Sequence, residues 1–408
     1  MQYKITSPTL INAAIQLPAS KSISNRALIL NALSLNPNPI DNLADCEDTQ
    51  VLIDVFNTNS NVFDVKAAGT AMRFLTAFLA GMEGEWTIKG SPRMHERPIY
   101  PLVDALTALG ATIEYLNIEG FPPIKIIGKP LQGGEVYLAG NISSQFISAL
   151  LMIAPMMTDG LIIHIKDEVV SKPYVYLTIN MMEKFGAKVK WEHNTLTVKP
   201  KAYAPVTITV EPDWTAASYW YAMVALLPGS SVKLLGLEKE SLQGDAKLVE
   251  LFEHLGVTSD FQDDGVVIAK TKEAADRFFY NFINEPDLVQ TFVVTCCFLG
   301  IRFLFSGIDT LKIKETDRVK ALITEMEKLG FVLQEFKNHT IGWDGELCEA
   351  EENPTINTYD DHRMAMAFAL VAIYKKSLII NHPEVVSKSY PHFWNDLKKA
   401  GFTVETLY

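Results

Sequence analysis

In a chain whose formal net charge is −12, the residues best placed to do chemistry are cations. Lys21, Arg26, Arg73, Arg93, Arg97, Lys172, Lys314, Arg318, Arg363 and Lys388 concentrate where polar segments give way to apolar ones. If those junctions are helix starts, the helix dipole favours anions there and disfavours cations. The placement makes most sense when an anion sits between the cations and the free backbone N–H groups. The acidic balance argues against nucleic acid or an anionic membrane as a general partner.

Five clusters carry this reading. Ser20, Lys21, Ser22 and Arg26 open the first apolar run; Ser22 and Arg26 stand one turn apart, and Lys21 adds a mobile point charge. Gly69 to Arg73 puts a glycine where backbone can approach a ligand, with an arginine one turn on. Pro92 to Pro98 is a proline-bounded loop with two arginines. Lys314-Glu315-Thr316-Asp317-Arg318 and Asp361-His362-Arg363 place both charge signs at helix starts. Each has an ordinary alternative: a serine-, threonine- or aspartate-capped helix with solvated charges and a satisfied histidine. No GxxxxGK[ST] sequence occurs, so a P-loop is excluded.

The elements that must position these residues repeat. Apolar helices are predicted over Ala27 to Leu35, Ala71 to Ala80, Phe146 to Met157, Trp214 to Leu227, Leu288 to Leu299 and Met364 to Ile373. Starts at 69, 143, 213, 287 and 361 are 70 to 74 residues apart, which points to a repeat. Between them runs a second series: an amphipathic helix ending at Gly110, Gly186, Gly256, Gly330 or Gly401, then a β-rich run. The first interval, 20 to 69, is shorter, so one unit is truncated. The Asn-rich centre of Thr49 to Ala68 reads as a turn.

Six modules in 408 residues divide into three plus three. No basic segment followed by an apolar stretch opens the chain and no apolar run suits a bilayer, so a cytoplasmic location is expected. Cys46, Cys296, Cys297 and Cys348 lack CxxC spacing and read as buried thiols.

The clusters, in order, resemble the 3-phosphoshikimate 1-carboxyvinyltransferase (EPSP synthase) family. Matching stretches run Ser20 to Arg26, Ala68 to Arg73, Pro92 to Pro98, Ser143 to Phe146, Ser171 to Tyr174 and Pro286-Asp287. They continue with Lys314 to Arg318, Asp361 to Met366 and Ser387 to Pro391. The resemblance implies a two-domain inside-out α/β barrel, each domain holding three βαβαββ-type units. It implies an N-terminal domain over 14–211 and a C-terminal domain of 1–13 with 212–408, the chain crossing near 13 and near 212. It also implies transfer of the enolpyruvyl group of phosphoenolpyruvate to the 5-hydroxyl of shikimate 3-phosphate, in aromatic amino acid biosynthesis, with induced closure of a cleft.

By that resemblance, shikimate phosphate would meet Lys21, Ser22, Arg26, Ser143, Ser144, Gln145, Ser171, Tyr174, Asp287 and Lys314. Phosphoenolpyruvate would meet Lys21, Gly69, Arg97, Gln145, Arg318, Arg363 and Lys388. Asp287 would be the base and Glu315 the acid, with Lys21 competing in proton transfer and His362 either a supporting donor or purely structural. No metal, nucleotide or organic cofactor is implied, and a monomer is expected. Ala67, Phe74, Thr310 and Asp360 depart from the family pattern. The nearest alternative, UDP-N-acetylglucosamine enolpyruvyl transferase, characteristically carries a cysteine in the loop matching Pro92 to Pro98, which has none here. A non-catalytic anion-binding relative is the other alternative; retention of Asp287 and Glu315 speaks against it.

Overall fold

The computed structural model describes residues 1–34, 36–337 and 339–407. The chain forms two compact units, one of residues 19–210 and one of residues 1–18 with those from 211 onward. Five four-stranded sheets share one pattern, in which two parallel strands are followed by two antiparallel ones. Between the two parallel strands the chain passes through a buried helix, as parallel pairing requires a crossover. A second helix then leads to the antiparallel pair, which gives the βαβαββ order.

In the 19–210 unit the full sheets are Val62–Asp64, Gly84–Lys89, Ile124–Gly128, Thr112–Tyr115, and Gly134–Ala139, Leu161–Lys166, Thr195–Val198, Val189–Glu192. The remaining module has only Ile40–Asp41 paired in parallel with Ile208–Thr209. Truncation therefore removes the antiparallel pair and leaves both helices, Lys21–Leu33 and Glu47–Asn57. The Asn-rich centre of Thr49 to Ala68 does form a connection, but it follows a helix end: it joins the helix Glu47–Asn57 to the strand Val62–Asp64, which already belongs to the next module. That helix escaped notice because it ends at Thr58 in an extended conformation, without a glycine. Leu35, the predicted end of the first apolar helix, lies outside the described residues.

In the other unit two sheets borrow strands from the N-terminus. Asn12–Gln16 pairs in parallel with Ser231–Leu235, beside Gly265–Lys270 and Val257–Gln262. Gln2–Thr6 lies between Ser377–Asn381 and Thr403–Leu407, with Thr355–Ile356 at the edge. The third sheet is Arg277–Asn281, Arg302–Ser306, Thr340–Trp343 and Gln334–Phe336. The pairing of Asn12–Gln16 carries residues 14–18 into this unit, so the first crossing follows Pro18 rather than falling near 13.

The crossover helices Gly69–Ala80, Ser144–Ile153, Trp214–Leu226, Val289–Leu299 and His362–Ala369 are buried on nearly every face. A helix apolar all round must sit inside. Within each unit, then, helices are central and sheets face outward. The second-series helices stop where predicted, because Gly110, Gly186, Gly256, Gly330 and Gly401 all take positive φ. At four of them the next N–H reaches back five residues, as from Ala111 to Leu106 and from Phe331 to Met326, closing a Schellman turn. Cys46, Cys296 and Cys297 are buried thiols as expected, whereas Cys348 is exposed. Among the described residues no helix is long and apolar enough to cross a membrane.

Candidate active site

Most of the predicted residues stand at or just before helix starts in their own unit, while Arg97 and Lys388 end short 3-10 turns. In the 19–210 unit, Lys21 is the first residue of Lys21–Leu33, and its Nζ lies 3.0 Å from Asp48 Oδ2. Ser22 follows, and its carbonyl accepts from Arg26 at 2.9 Å. Arg26 is 2% exposed and also donates to Thr178 Oγ1 (2.7 Å), Ser148 Oγ (3.3 Å) and the Tyr174 carbonyl (3.2 Å). Its guanidinium lies 5.3 Å from the Phe74 ring centre and 5.9 Å from that of Tyr174. Among the described residues it meets no carboxylate. Burial pulls its pKa down to about 10, and Tyr174 only partly offsets that cost.

Gly69 begins the next central helix, whose start no side chain caps. A Cβ on Gly69 would stand 2.8 Å from one Arg97 nitrogen and 2.9 Å from the other, so the guanidinium rests directly on the glycine. Arg97 itself is buried. Its loop is pinned by Arg73, which donates to the Gly69 and Pro98 carbonyls at 3.3 and 3.0 Å. Ser143 caps the helix of Ser144 by accepting from the Gln145 N–H, and the Gln145 amide reaches Thr70 Oγ1 at 3.5 Å. Ser171, at φ 54°, precedes Lys172–Lys184 in a left-handed conformation that a serine rarely adopts and that marks functional sites more often than others.

The other unit assembles charges of both signs. Arg318, 1% exposed, donates to Asp361 Oδ2 (2.7 Å), Asp287 Oδ1 (2.9 Å) and Glu315 Oε2 (3.0 Å). Arg363 holds the second oxygen of Asp287 at 2.8 Å, Lys314 stands 3.7 Å away, and Lys388 meets Glu315 Oε1 at 3.0 Å. Burial alone would raise the Asp287 pKa, but Arg363, Lys314 and Arg318 outweigh it and hold the carboxyl well below its usual range. For Arg318, burial is likewise outweighed by Asp361, Glu315 and Asp287, and its pKa rises. Asp361 caps its helix by accepting from the Arg363 N–H at 2.9 Å. His362 is buried, its Nδ1 3.6 Å from Asp361 Oδ1.

The predicted residues thus fall into two groups, one in each unit: cations with mostly neutral partners in the 19–210 unit, and interlocked charges of both signs in the other. Sequence reasoning missed Asp48, Ser148 and Thr178, and gave Asp361 no role beyond a helix cap. Asp48 and Asp361 sit at helix starts, a detectable signal. Ser148 and Thr178 are polar residues inside apolar helices, one turn past Ser144 and Tyr174.

The profile of EPSP synthase (3-phosphoshikimate 1-carboxyvinyltransferase) matches residues 5–58 and 53–397. The chain belongs to the EPSP synthase family. A 3-phosphoshikimate 1-carboxyvinyltransferase of Bacteroides fragilis is 50% identical over 99% of both chains. One from Aliivibrio fischeri is 37% identical, covering 95% of this chain and 97% of its own. An EPSP synthase structure from Acinetobacter baumannii superposes with a TM-score of 0.80 over 99% of this chain, at 18% identity, and speaks to the fold alone. Against the EPSP synthase pattern two departures find a structural account. Phe74 is the buried ring beside the Arg26 guanidinium. Asp360 takes φ 54°, a conformation that aspartate tolerates nearly as well as the usual asparagine.

Proposed function

We propose that the chain transfers the enolpyruvyl group of phosphoenolpyruvate to the 5-hydroxyl of shikimate 3-phosphate, releasing phosphate. The observation that supports this most is Arg26, a buried cation surrounded by neutral partners. An anion repays its desolvation. Shikimate phosphate would be received by Lys21, Ser22, Arg26, Ser143, Ser144, Gln145, Ser171 and Tyr174, with Asp287 and Lys314 toward the ring hydroxyls. Phosphoenolpyruvate would meet Lys21, Gly69, Arg97, Gln145, Arg318, Arg363 and Lys388.

The acceptor oxygen attacks C2 of phosphoenolpyruvate while C3 takes a proton, giving a tetrahedral adduct. Loss of that proton from C3 and cleavage of the C2–O bond to phosphate restore the double bond. Asp287 is the base for the hydroxyl. Tied to Arg363 and Arg318 it is a weak one; an anionic substrate that draws Arg363 and Lys314 to itself raises its basicity where it is needed. Glu315, 3.0 Å from Lys388, is the acid that would deliver the proton to C3. Lys21 competes for a proton-transfer role.

Phosphate release from purified protein, with each substrate omitted in turn and a chelator present, tests the reading. Release that needs both substrates and ignores the chelator is the expected result; binding of both without turnover sinks the enzyme reading. Asp287→Ala should lower kcat by about 10³-fold, within the range for loss of a general base. Unchanged turnover removes the base assignment.

A further inference from the structure

The two residues before Asp361 hold a backbone conformation that one of them disfavours. Tyr359 and Asp360 both take φ 54°, and the Asp361 N–H donates to the Thr358 carbonyl at 2.9 Å, the pattern of a type I′ turn. Such turns favour asparagine, aspartate and glycine; a tyrosine there is strained and persists only where its surroundings hold it. The turn leads straight into the candidate active site. Asp361 grips Arg318 at 2.7 Å and caps the helix His362–Ala369 through the Arg363 N–H, and the Arg363 side chain holds Asp287.

The turn is fastened by the helix Arg318–Lys328, whose first residue is Arg318 itself. Two helical turns along, Glu325 is fully buried and accepts from the Tyr359 hydroxyl at 2.6 Å and from the Asn357 N–H at 3.2 Å. Lys328 donates to both Glu325 oxygens (2.9 and 2.7 Å) and to the Thr355 carbonyl (3.1 Å). One helix thus pins the segment 355–361 at both ends and in the middle. Among the described residues, the bond from Tyr359 to Glu325 is the one side-chain hydrogen bond made by the two left-handed residues.

We propose that Tyr359 is a positioning residue for the reaction: through Glu325 its hydroxyl holds the strained turn closed, and so keeps Asp361 and Arg363 where phosphoenolpyruvate is received. The tyrosine is 37% exposed while the carboxylate it meets is buried, so the bond can be deleted without opening the core.

This rests on the reading that Arg363 receives phosphoenolpyruvate, and the experiment separates the two. Tyr359→Phe, Tyr359→Asn and Arg363→Gln are compared with the wild type in amide hydrogen exchange of the ligand-free protein and in the KM for each substrate. Tyr359→Phe keeps the ring and loses the hydroxyl, so exchange across residues 358–363 should quicken about tenfold and the phosphoenolpyruvate KM should rise about tenfold, the effect of one lost hydrogen bond to a charged group. The KM for shikimate 3-phosphate should change far less. Tyr359→Asn also loses the hydroxyl but suits a left-handed backbone, so it should recover most of both losses. A tyrosine that matters only for packing predicts the reverse order, because asparagine loses the ring as well. Unchanged exchange in Tyr359→Phe, equal rises in both KM values, or an asparagine variant no better than the phenylalanine one overturns the proposal, even when Arg363→Gln raises the phosphoenolpyruvate KM. If Arg363→Gln leaves that KM unchanged, the underlying reading fails and the proposal with it.

Discussion

The two units use the same βαβαββ module and finish their central helix starts in opposite ways. In the 19–210 unit the starts at Lys21 and Gly69 have no side-chain cap, and the third central helix is capped by Ser143, a neutral residue. In the other unit Asp213 and Asp361 cap their helices, and a lattice of Asp287, Glu315 and Asp361 surrounds Arg318. One half keeps its cation hungry for a ligand; the other balances its charges in advance. A shared fold therefore does not dictate the electrostatics at its helix ends, which depend on a few cap positions.

The sharpest way to break this comparison is to remove one arginine from each half. Arg318→Met leaves three carboxylates without their buried partner and should cost about 3–5 kcal/mol of stability. Arg26→Met removes a charge that has no carboxylate, leaving only neutral acceptors unpaired, and should cost roughly 1 kcal/mol while abolishing tight binding of shikimate phosphate. Urea unfolding and calorimetric titration check both. Similar stability losses for the two variants would erase the distinction.

The pH dependence of stability should split within the charge-balanced half. The Asp287 pKa is depressed in the folded state, so its contribution is present above its unfolded value near 4 and is lost as pH falls below it. Asp245 is raised to about 7, so the folded state holds its proton longer and stability falls as pH rises from about 4 to about 7. Asp245→Asn should recover roughly 2–4 kcal/mol at pH 8 relative to pH 4. Parallel stability curves for variant and wild type would show that this carboxyl titrates normally.

Smaller effects sharpen the assignment of each half. Lys388→Met should weaken phosphoenolpyruvate binding by roughly 10- to 100-fold, the worth of one charge-assisted hydrogen bond, and shikimate phosphate binding far less. Equal losses would contradict that placement. Gly69→Ala puts a methyl group 2.8 Å from the Arg97 guanidinium and should raise the phosphoenolpyruvate KM about tenfold with little change in melting temperature. A large stability loss would make the glycine a packing residue instead.

Local signals made much of this legible. The glycine stops at 110, 186, 256, 330 and 401 appear in the sequence because a left-handed C-terminus has a strong residue preference. The repeat spacing gave the module count, and the cationic clusters marked the helix starts. What stayed hidden was non-local or lacked a stop signal. The helix Glu47–Asn57 ends without glycine. The Arg318–Asp361 pair joins residues 43 apart, and Arg26 reaches Thr178 across 152. Spacing also could not foretell that Asn12–Gln16 pairs with Ser231–Leu235, which moved the first crossing.

The strand Gln2–Thr6 carries a consequence for how the protein is made. Its partners, Ser377–Asn381 and Thr403–Leu407, leave the ribosome long after it does, and Gln2 pairs with Leu407 itself. The 19–210 unit is continuous in sequence and can fold during synthesis, while the strand Gln2–Thr6 waits with both edges bare until those distant partners emerge. Bare edges invite wrong pairings. A circular permutant that places the first 18 residues after the C-terminus should shorten that wait and aggregate less on overexpression.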